Sequence, residues 1–282
     1  MGIKVGYQGE PGAYSDEAVS AVFPDAQAVG FATFRLTFEA LAMGAVDAAV
    51  LPVENSSAGV VQEVSDLLWE KPGLRVVREH IQPVRHCLLG WPGPVERALS
   101  HPQALAQCDR YLHSRQIRPV AFHDTAGAAR AVAEQRQPGT AAIASKAAAA
   151  RYSLYVLAES IQDDSENRTR FVVVEAGEPI RPRNAQSGDR EADAKWKASI
   201  AFVTAHRPGS LAHALDCFAR RGVNLTRLDS RPMIGRPFEY RFYVDFTTNG
   251  EAASAAAADA ALSDLEEASA EIKLFGTYPA AS

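Results

Sequence analysis

Cysteine is scarce: Cys87, Cys108 and Cys217 are the whole complement, and no two of them form a CxxC pair. That excludes a disulfide framework and a thiolate zinc site. No segment reaches about 18 consecutive apolar residues, the length a membrane-spanning helix needs. The opening stretch MGIKVGYQG enters a strand pattern at once, without the apolar core of a signal peptide. A basic excess is missing too. The 29 lysines and arginines are mixed among 34 acidic residues, for a formal net charge of −5, and no basic stripe suits the phosphates of a nucleic acid. These absences lead to the expectation of a cytoplasmic protein that acts on a small molecule, with no nucleic-acid and no membrane partner.

What is present is an ordinary globular mixture, 47% apolar and 22% charged over 282 residues, enough for one large domain or two of common size. Up to about residue 176, short apolar runs alternate with alanine-rich helical stretches, the pattern of an α/β layer fold. Residues 3–7, 47–53, 117–122 and 140–144 read as strands, and 15–22, 34–43, 103–113 and 125–135 as helices. The stretch 177–197, rich in proline, glycine and charge, reads as a linker. Beyond it, strands at 198–204, 224–231, 240–246 and 272–275 and helices at 209–221 and 252–268 give the order βαββαβ, a ferredoxin-like second domain over 198–282.

Several polar clusters stand where such folds place ligands. The loop GYQGEPGAYSDEA has glycines at 6, 9 and 12 between a strand and a helix. It is either an anion-receiving loop or a tight turn, and its spacing is not the dinucleotide fingerprint. At the end of the next apolar strand, Glu54-Asn55-Ser56-Ser57 crowds polar groups at a carboxyl terminus, where open α/β sheets bind ligands, although serine also caps helices. His101 and Gln103 lie in a similar cluster before a helix that has proline in its first turn, and Thr125 either caps a helix or faces a cleft. No histidine pair has metal-ligand spacing, so no metal is assigned. In NRTRF, Thr169 offers an O–H donor and Arg170 a planar fork for a carboxylate. Strict alternation would send the two to opposite faces, whereas a bend before Phe171 would bring both to one cleft.

Taken in order, GYQGEPGAYSDEA, LPVENSSAGVV, SHPQALAQC, DTAGAARAVAE, AAIAS, IQDDSENRTRF, PGSLAHALDCFARRGVNLTRLDSRP and KLFGTYP resemble prephenate dehydratase followed by a regulatory ACT domain, over nearly the whole chain. The resemblance implies a catalytic domain over 1–176 with two α/β lobes, like a periplasmic binding protein: one of about 1–80 with 160–176, the other of about 81–159. The cleft would be the active site, converting prephenate to phenylpyruvate, water and carbon dioxide without a cofactor. Thr169 matches the family's essential threonine. Arg170 is then expected to hold the pyruvyl carboxylate with Ser56 or Asn55, because an arginine on the departing ring carboxylate would oppose its loss. His101, Gln103, Thr125 and Phe171 are expected to line the cleft.

In the second domain, Gly209, Leu211, Asn224, Leu225, Asp229 and Ser230 match segments that bind L-phenylalanine between two subunits, which implies a homo-dimer or homo-tetramer under phenylalanine control. The chain departs from the family pattern at Ser210, Ala212 and Asp229. The alternatives are an arogenate dehydratase, whose substrate carries an amino group in place of the keto group, and a non-catalytic amino-acid sensor.

Overall fold

The computed structural model describes residues 2–186, 195–233, 235–248 and 252–281. The chain begins β1 (Lys4–Gln8), α1 (Tyr14–Val22), β2 (Gln27–Phe31), α2 (Phe34–Ala42), β3 (Ala48–Asn55), β4 (Gly59–Val60), α3 (Gln62–Glu70) and β5 (Leu74–Pro83). It continues with β6 (Cys87–Gly90), β7 (Arg97–Ser100), α4 (Pro102–Ala106), α5 (Asp109–Ser114), β8 (Arg118–Ala121), α6 (Thr125–Gln135), β9 (Thr140–Ala144), α7 (Lys146–Tyr152), β10 (Tyr155–Ala158) and β11 (Arg168–Ala176). A 3₁₀ turn at Pro182–Gln186 precedes β12 (Trp196–Val203), α8 (Ser210–Ala219), β13 (Leu225–Met233), β14 (Arg236–Thr247), α9 (Ala252–Ala268) and β15 (Glu271–Pro279). Residues 187–194 of the expected linker lie outside the described residues.

Among the described residues the strands form three sheets, ordered β2-β1-β3-β11-β5 with β4 on β3, then β10-β6-β9-β7-β8, then β13-β14-β12-β15. The fold is mixed α/β with a βαββαβ C-terminal region, as the hydrophobic pattern implied. The chain divides into two compact units, residues 1–64 with 81–171 and residues 65–80 with 172–282, so β5 and β11 each run from one into the other.

In the first unit, β1 pairs in parallel with both β2 and β3, and β7 with both β8 and β9. Parallel strands buried on both faces need apolar side chains throughout, and residues 48–51 and 140–144 are buried without a break. Helix starts are fixed by side chains that accept an otherwise orphan N–H: Thr33 from Leu36, Asp124 from Gly127 and Ser145 from Ala148. Ser145 also donates to the Gly12 carbonyl at 2.9 Å, and a side chain at Gly12 (φ +88°) would come within 2.9 Å of the Ala148 backbone. Glycine there lets the glycine-rich loop lie against α7. The expected helix over 103–113 is two helices, α4 and α5, broken at Gln107–Cys108.

In the second unit, Ala198, Ile200 and Phe202 alternate toward a core shared with Phe218 of α8, Leu262 and Leu265 of α9, and Val244 and Phe246 of β14. Each such large side chain contributes about 1.5–3 kcal/mol by leaving water. Ser199, Ala201 and Val203, between them on the opposite face of β12, are buried as well.

Candidate active site

A cavity of about 530 Å³ opens in the first unit, and every residue lining it belongs to that unit. This volume suits a small organic acid. From the first sheet and its helices come Gln8 at the end of β1, Asn55 at the end of β3, Tyr14 and Ser15 opening α1, and Thr169 and Phe171 on β11. From the second come His101, Gln103 and Gln107 around α4, and His123, Asp124 and Thr125 at the start of α6. Strand ends and helix starts meet here because loop donors and helix N–H groups converge at the carboxyl edge of a parallel sheet.

Asn55 organises the floor. Its Oδ1 accepts the backbone N–H of Ser57 at 3.1 Å and of Ala58 at 2.9 Å, which turns its Nδ2 the other way. That nitrogen lies 2.9 Å from Thr169 Oγ1, 2.8 Å from Asn167 Oδ1 and 3.2 Å from the Arg168 carbonyl. Thr169 Oγ1 therefore acts as an acceptor toward Asn55, and its own O–H is left to donate into the cavity it lines.

Deeper in the cavity wall, His86 is buried, with Nδ1 3.0 Å from Tyr14 Oη and Nε2 2.9 Å from Gln107 Oε1. Burial pushes the His86 pKa down from its ordinary value, partly offset by the bond to Gln107. The unfolded chain recovers an ordinary imidazole pKa, about 6.5, and so takes up a proton first on acidification. The contribution of His86 is thus fully present above about pH 6.5 and is lost as the pH falls below it. Thermal unfolding of wild type and His86→Gln between about pH 7.5 and pH 5 checks this. Wild type is expected to lose more stability on acidification than the variant, and parallel curves would refute the assignment.

The structure brings together Asn55, His101, Gln103, Thr125, Thr169 and Phe171 in one cavity. Two expected residues stand elsewhere. Arg170 does not line the cavity: β11 is already a regular strand at Arg168, so alternation turns Arg170 away from Thr169, and its Nε lies 3.2 Å from Glu54 Oε2. Its guanidinium thus pairs with Glu54 between β3 and β11 and is not among the cavity-lining groups expected to hold a carboxylate. Ser56 does not line the cavity either. Its Oγ accepts the Arg168 N–H at 2.9 Å and its own N–H donates to the Arg168 carbonyl at 2.9 Å, a clasp that holds the loop to β11. His101 does two jobs, accepting the Gln103 N–H at 3.3 Å as a cap while lining the cavity. Asp124, rather than Thr125, caps α6.

Sequence reading did not single out Tyr14, His86 and Gln107 as site residues. Gln107 reaches the cavity because the helix breaks there, which hydrophobic spacing does not reveal. Tyr14 had a detectable signal, as the first helical residue after the glycine-rich loop.

In the second unit, Gly209 and Leu211 at the start of α8 line a separate cavity of about 340 Å³ with Thr204, Phe238 and Tyr240. Asn224, Leu225, Asp229 and Ser230 are not among its lining residues. Leu225 packs against the core, and Asp229 pairs with Arg227.

Residues 5–179 match the family model for prephenate dehydratase. The chain is 40% identical to arogenate dehydratase/prephenate dehydratase 1, chloroplastic, of Arabidopsis thaliana, over 98% of this chain and 72% of that protein. Among solved structures, prephenate dehydratase from Arthrobacter aurescens in complex with L-Phe superposes with a TM-score of 0.85 at 29% identity, covering 98% of this chain and 89% of that one. A structure described as GqqA, a novel type of quorum quenching acylase, superposes with a TM-score of 0.84 at 34% identity, covering 98% of each chain. With the family match over most of the chain and a relative 40% identical over 98% of it, this chain belongs to the prephenate dehydratase family, as a dehydratase of aromatic amino-acid biosynthesis.

Proposed function

We propose that the chain acts on prephenate in preference to arogenate, and that the hydroxyl of Thr169 donates a hydrogen bond to the leaving hydroxyl of the substrate. The observation that carries this reading is the Asn55 Nδ2 to Thr169 Oγ1 contact of 2.9 Å, which commits the threonine oxygen as an acceptor and directs its hydrogen elsewhere. In the reaction, the bond from the ring to its carboxylate breaks to release carbon dioxide. That electron pair aromatises the ring, and the opposite C–O bond breaks with its pair on the departing hydroxide, which takes a proton to become water. A neutral threonine is a poor acid, so Thr169 acts chiefly by stabilising charge as it grows on the leaving oxygen. The Asn55 amide strengthens that donor by polarising it.

Binding of a dianion also has support. The start of α1 at the cavity has first-turn N–H groups, with no side-chain cap from Ala13, and His101, Gln103 and Thr125 add polar groups. Neutral donors hold carboxylates without the strong stabilisation that would impede decarboxylation.

Preference for the keto substrate follows from Asp124, the acidic side chain among the described lining residues. Its Oδ1 accepts the Gly127 N–H and its Oδ2 pairs with His123 Nε2 at 2.8 Å, so it is already engaged when an ammonium would need it. An unpaired ammonium is costly in such a site. Steady-state kcat/KM is therefore expected to favour prephenate by roughly ten-fold or more, and equal or better use of arogenate would overturn the preference. The arogenate reading is supported by the Arabidopsis thaliana relative, whose name includes both activities.

The catalytic region over 1–176 is proposed to be regulated by L-phenylalanine through 198–282, read as an ACT domain. Support comes from the βαββαβ order and from the L-Phe in the Arthrobacter aurescens structure. The proposed effector residues Gly209 and Leu211 line one cavity while Asn224, Leu225, Asp229 and Ser230 stand apart from it, which fits a site completed by a second copy in a homo-dimer or homo-tetramer. Adding L-phenylalanine to the same assay tests this: a change in rate is expected, and an unchanged rate with no bound phenylalanine would remove the regulatory role.

A further inference from the structure

We propose that Tyr14 and His86 are positioning residues that fix the side-chain amide of Gln107, so that it presents N–H rather than C=O toward the substrate. The inference rests on the dehydratase reading above and extends it to two residues that the elimination itself does not use.

Backbone groups set the polarity. Because N–H groups of Ser57 and Ala58 can only donate, the end of Asn55 that meets them is its oxygen. Gln107 approaches that same oxygen with Nε2, at 3.5 Å. The contact is long, but the reversed amide would set oxygen against oxygen. Gln107 Oε1 then faces His86 Nε2 at 2.9 Å, and since a carbonyl accepts, the imidazole must carry its hydrogen on Nε2. Nδ1 is left as an acceptor for the Tyr14 O–H, 3.0 Å away.

The ring has little freedom to change this assignment. The His86 backbone N–H donates to Gln162 Oε1 at 3.0 Å, and the Tyr14 ring meets the imidazole edge-on with centroids 5.5 Å apart. The single Tyr14 hydrogen is shared between His86 Nδ1 and the Arg85 carbonyl, 2.9 Å from Oη, and this three-centre bond anchors the phenol. Burial keeps Tyr14 protonated, its pKa raised well above the ordinary value, so it remains a donor. One Gln107 N–H is directed at Asn55, and the second is available to an oxygen of the bound substrate. A flipped amide would turn its carbonyl to both.

Two measurements test the proposal. The first is the ¹⁵N NMR spectrum of histidine-labelled, unliganded protein, which reads the tautomer without any reaction. The Nε2–H form of His86 is expected, and an Nδ1–H form would overturn the proposal. The second is a mutant cycle in prephenate turnover. His86→Leu is expected to lower the rate roughly 10- to 100-fold, the scale of a misplaced catalytic group. His86→Gln, which restores an N–H near the Nε2 position, should recover most of that loss. In a Gln107→Ala background, His86→Leu should cost little more, because His86 acts through Gln107. An equal loss in that background, or failure of His86→Gln to recover activity, would mean that His86 acts directly and would sink the proposal. If His86→Leu does not fold, Tyr14→Phe takes its place in the same cycle. Absence of turnover by wild type would overturn the dehydratase reading instead, while the tautomer spectrum still decides this one.

Discussion

Replacing Thr169 by alanine is expected to slow turnover by roughly 10²–10³-fold, about 2.7–4 kcal/mol of activation free energy, with little change in fold or substrate binding. The expectation follows from geometry. The hydroxyl removed is the one whose oxygen receives the Asn55 amide at 2.9 Å, leaving its hydrogen for the substrate. The stability cost is small because Asn55 Nδ2 keeps Asn167 Oδ1 at 2.8 Å and the Arg168 carbonyl at 3.2 Å as acceptors. Thr169→Ser retains the donor and should stay within roughly ten-fold of wild type. Steady-state kinetics with prephenate, paired with calorimetric binding, separates a loss of rate from a loss of affinity. Alanine and serine variants of equal activity would remove Thr169 from the chemistry.

The largest effect on stability is expected at Gly276. It sits on β15 at φ +152°, where β15 shifts register against β12 between Ser199 and Ile200. A Cβ placed there would lie 2.2 Å from the Val76 carbonyl oxygen, a backbone atom that cannot rotate aside. Gly276→Ala combines overpacking with a backbone conformation that side chains disfavour, for a loss of about 3 kcal/mol or more. Urea unfolding should show a clearly lowered midpoint, and an unchanged midpoint would mean that β5 and β15 separate easily. Because the catalytic residues are untouched, any folded variant should keep its affinity for prephenate.

Much of this architecture was legible because burial leaves a periodic trace. The helix over 125–135 and the strand over 140–144 stand where their spacing placed them, and the βαββαβ order was visible from alternation at Ala198, Ile200 and Phe202. Short strands such as β7 and β10, four residues each, carry too few positions to show a period. The break between α4 and α5 was hidden because apolar spacing continues across it through Leu105, Cys108 and Leu112, all buried. That break places Gln107 in the cavity. At the site, Thr169 was legible from its motif, but the fate of Arg170 depended on whether a bend preceded Phe171. The strand is regular from Arg168, so the two neighbours part. The roles of His86 and Tyr14 depend on partners 72 positions apart in the chain, which no local pattern encodes.

Turnover of prephenate by the Asn55→Asp variant tests the direction of the Thr169 hydroxyl most directly. The carboxylate keeps an oxygen for the Ser57 and Ala58 N–H groups, while Asn167, whose Nδ2 is buried without a hydrogen-bond partner, can turn its amide to donate to the other oxygen. Thr169 would then donate to the new carboxylate instead of to the leaving hydroxyl. A fall in rate of roughly 10²–10³-fold, with prephenate still bound, is the expected result. A folded variant that turns prephenate over at close to the wild-type rate would contradict it.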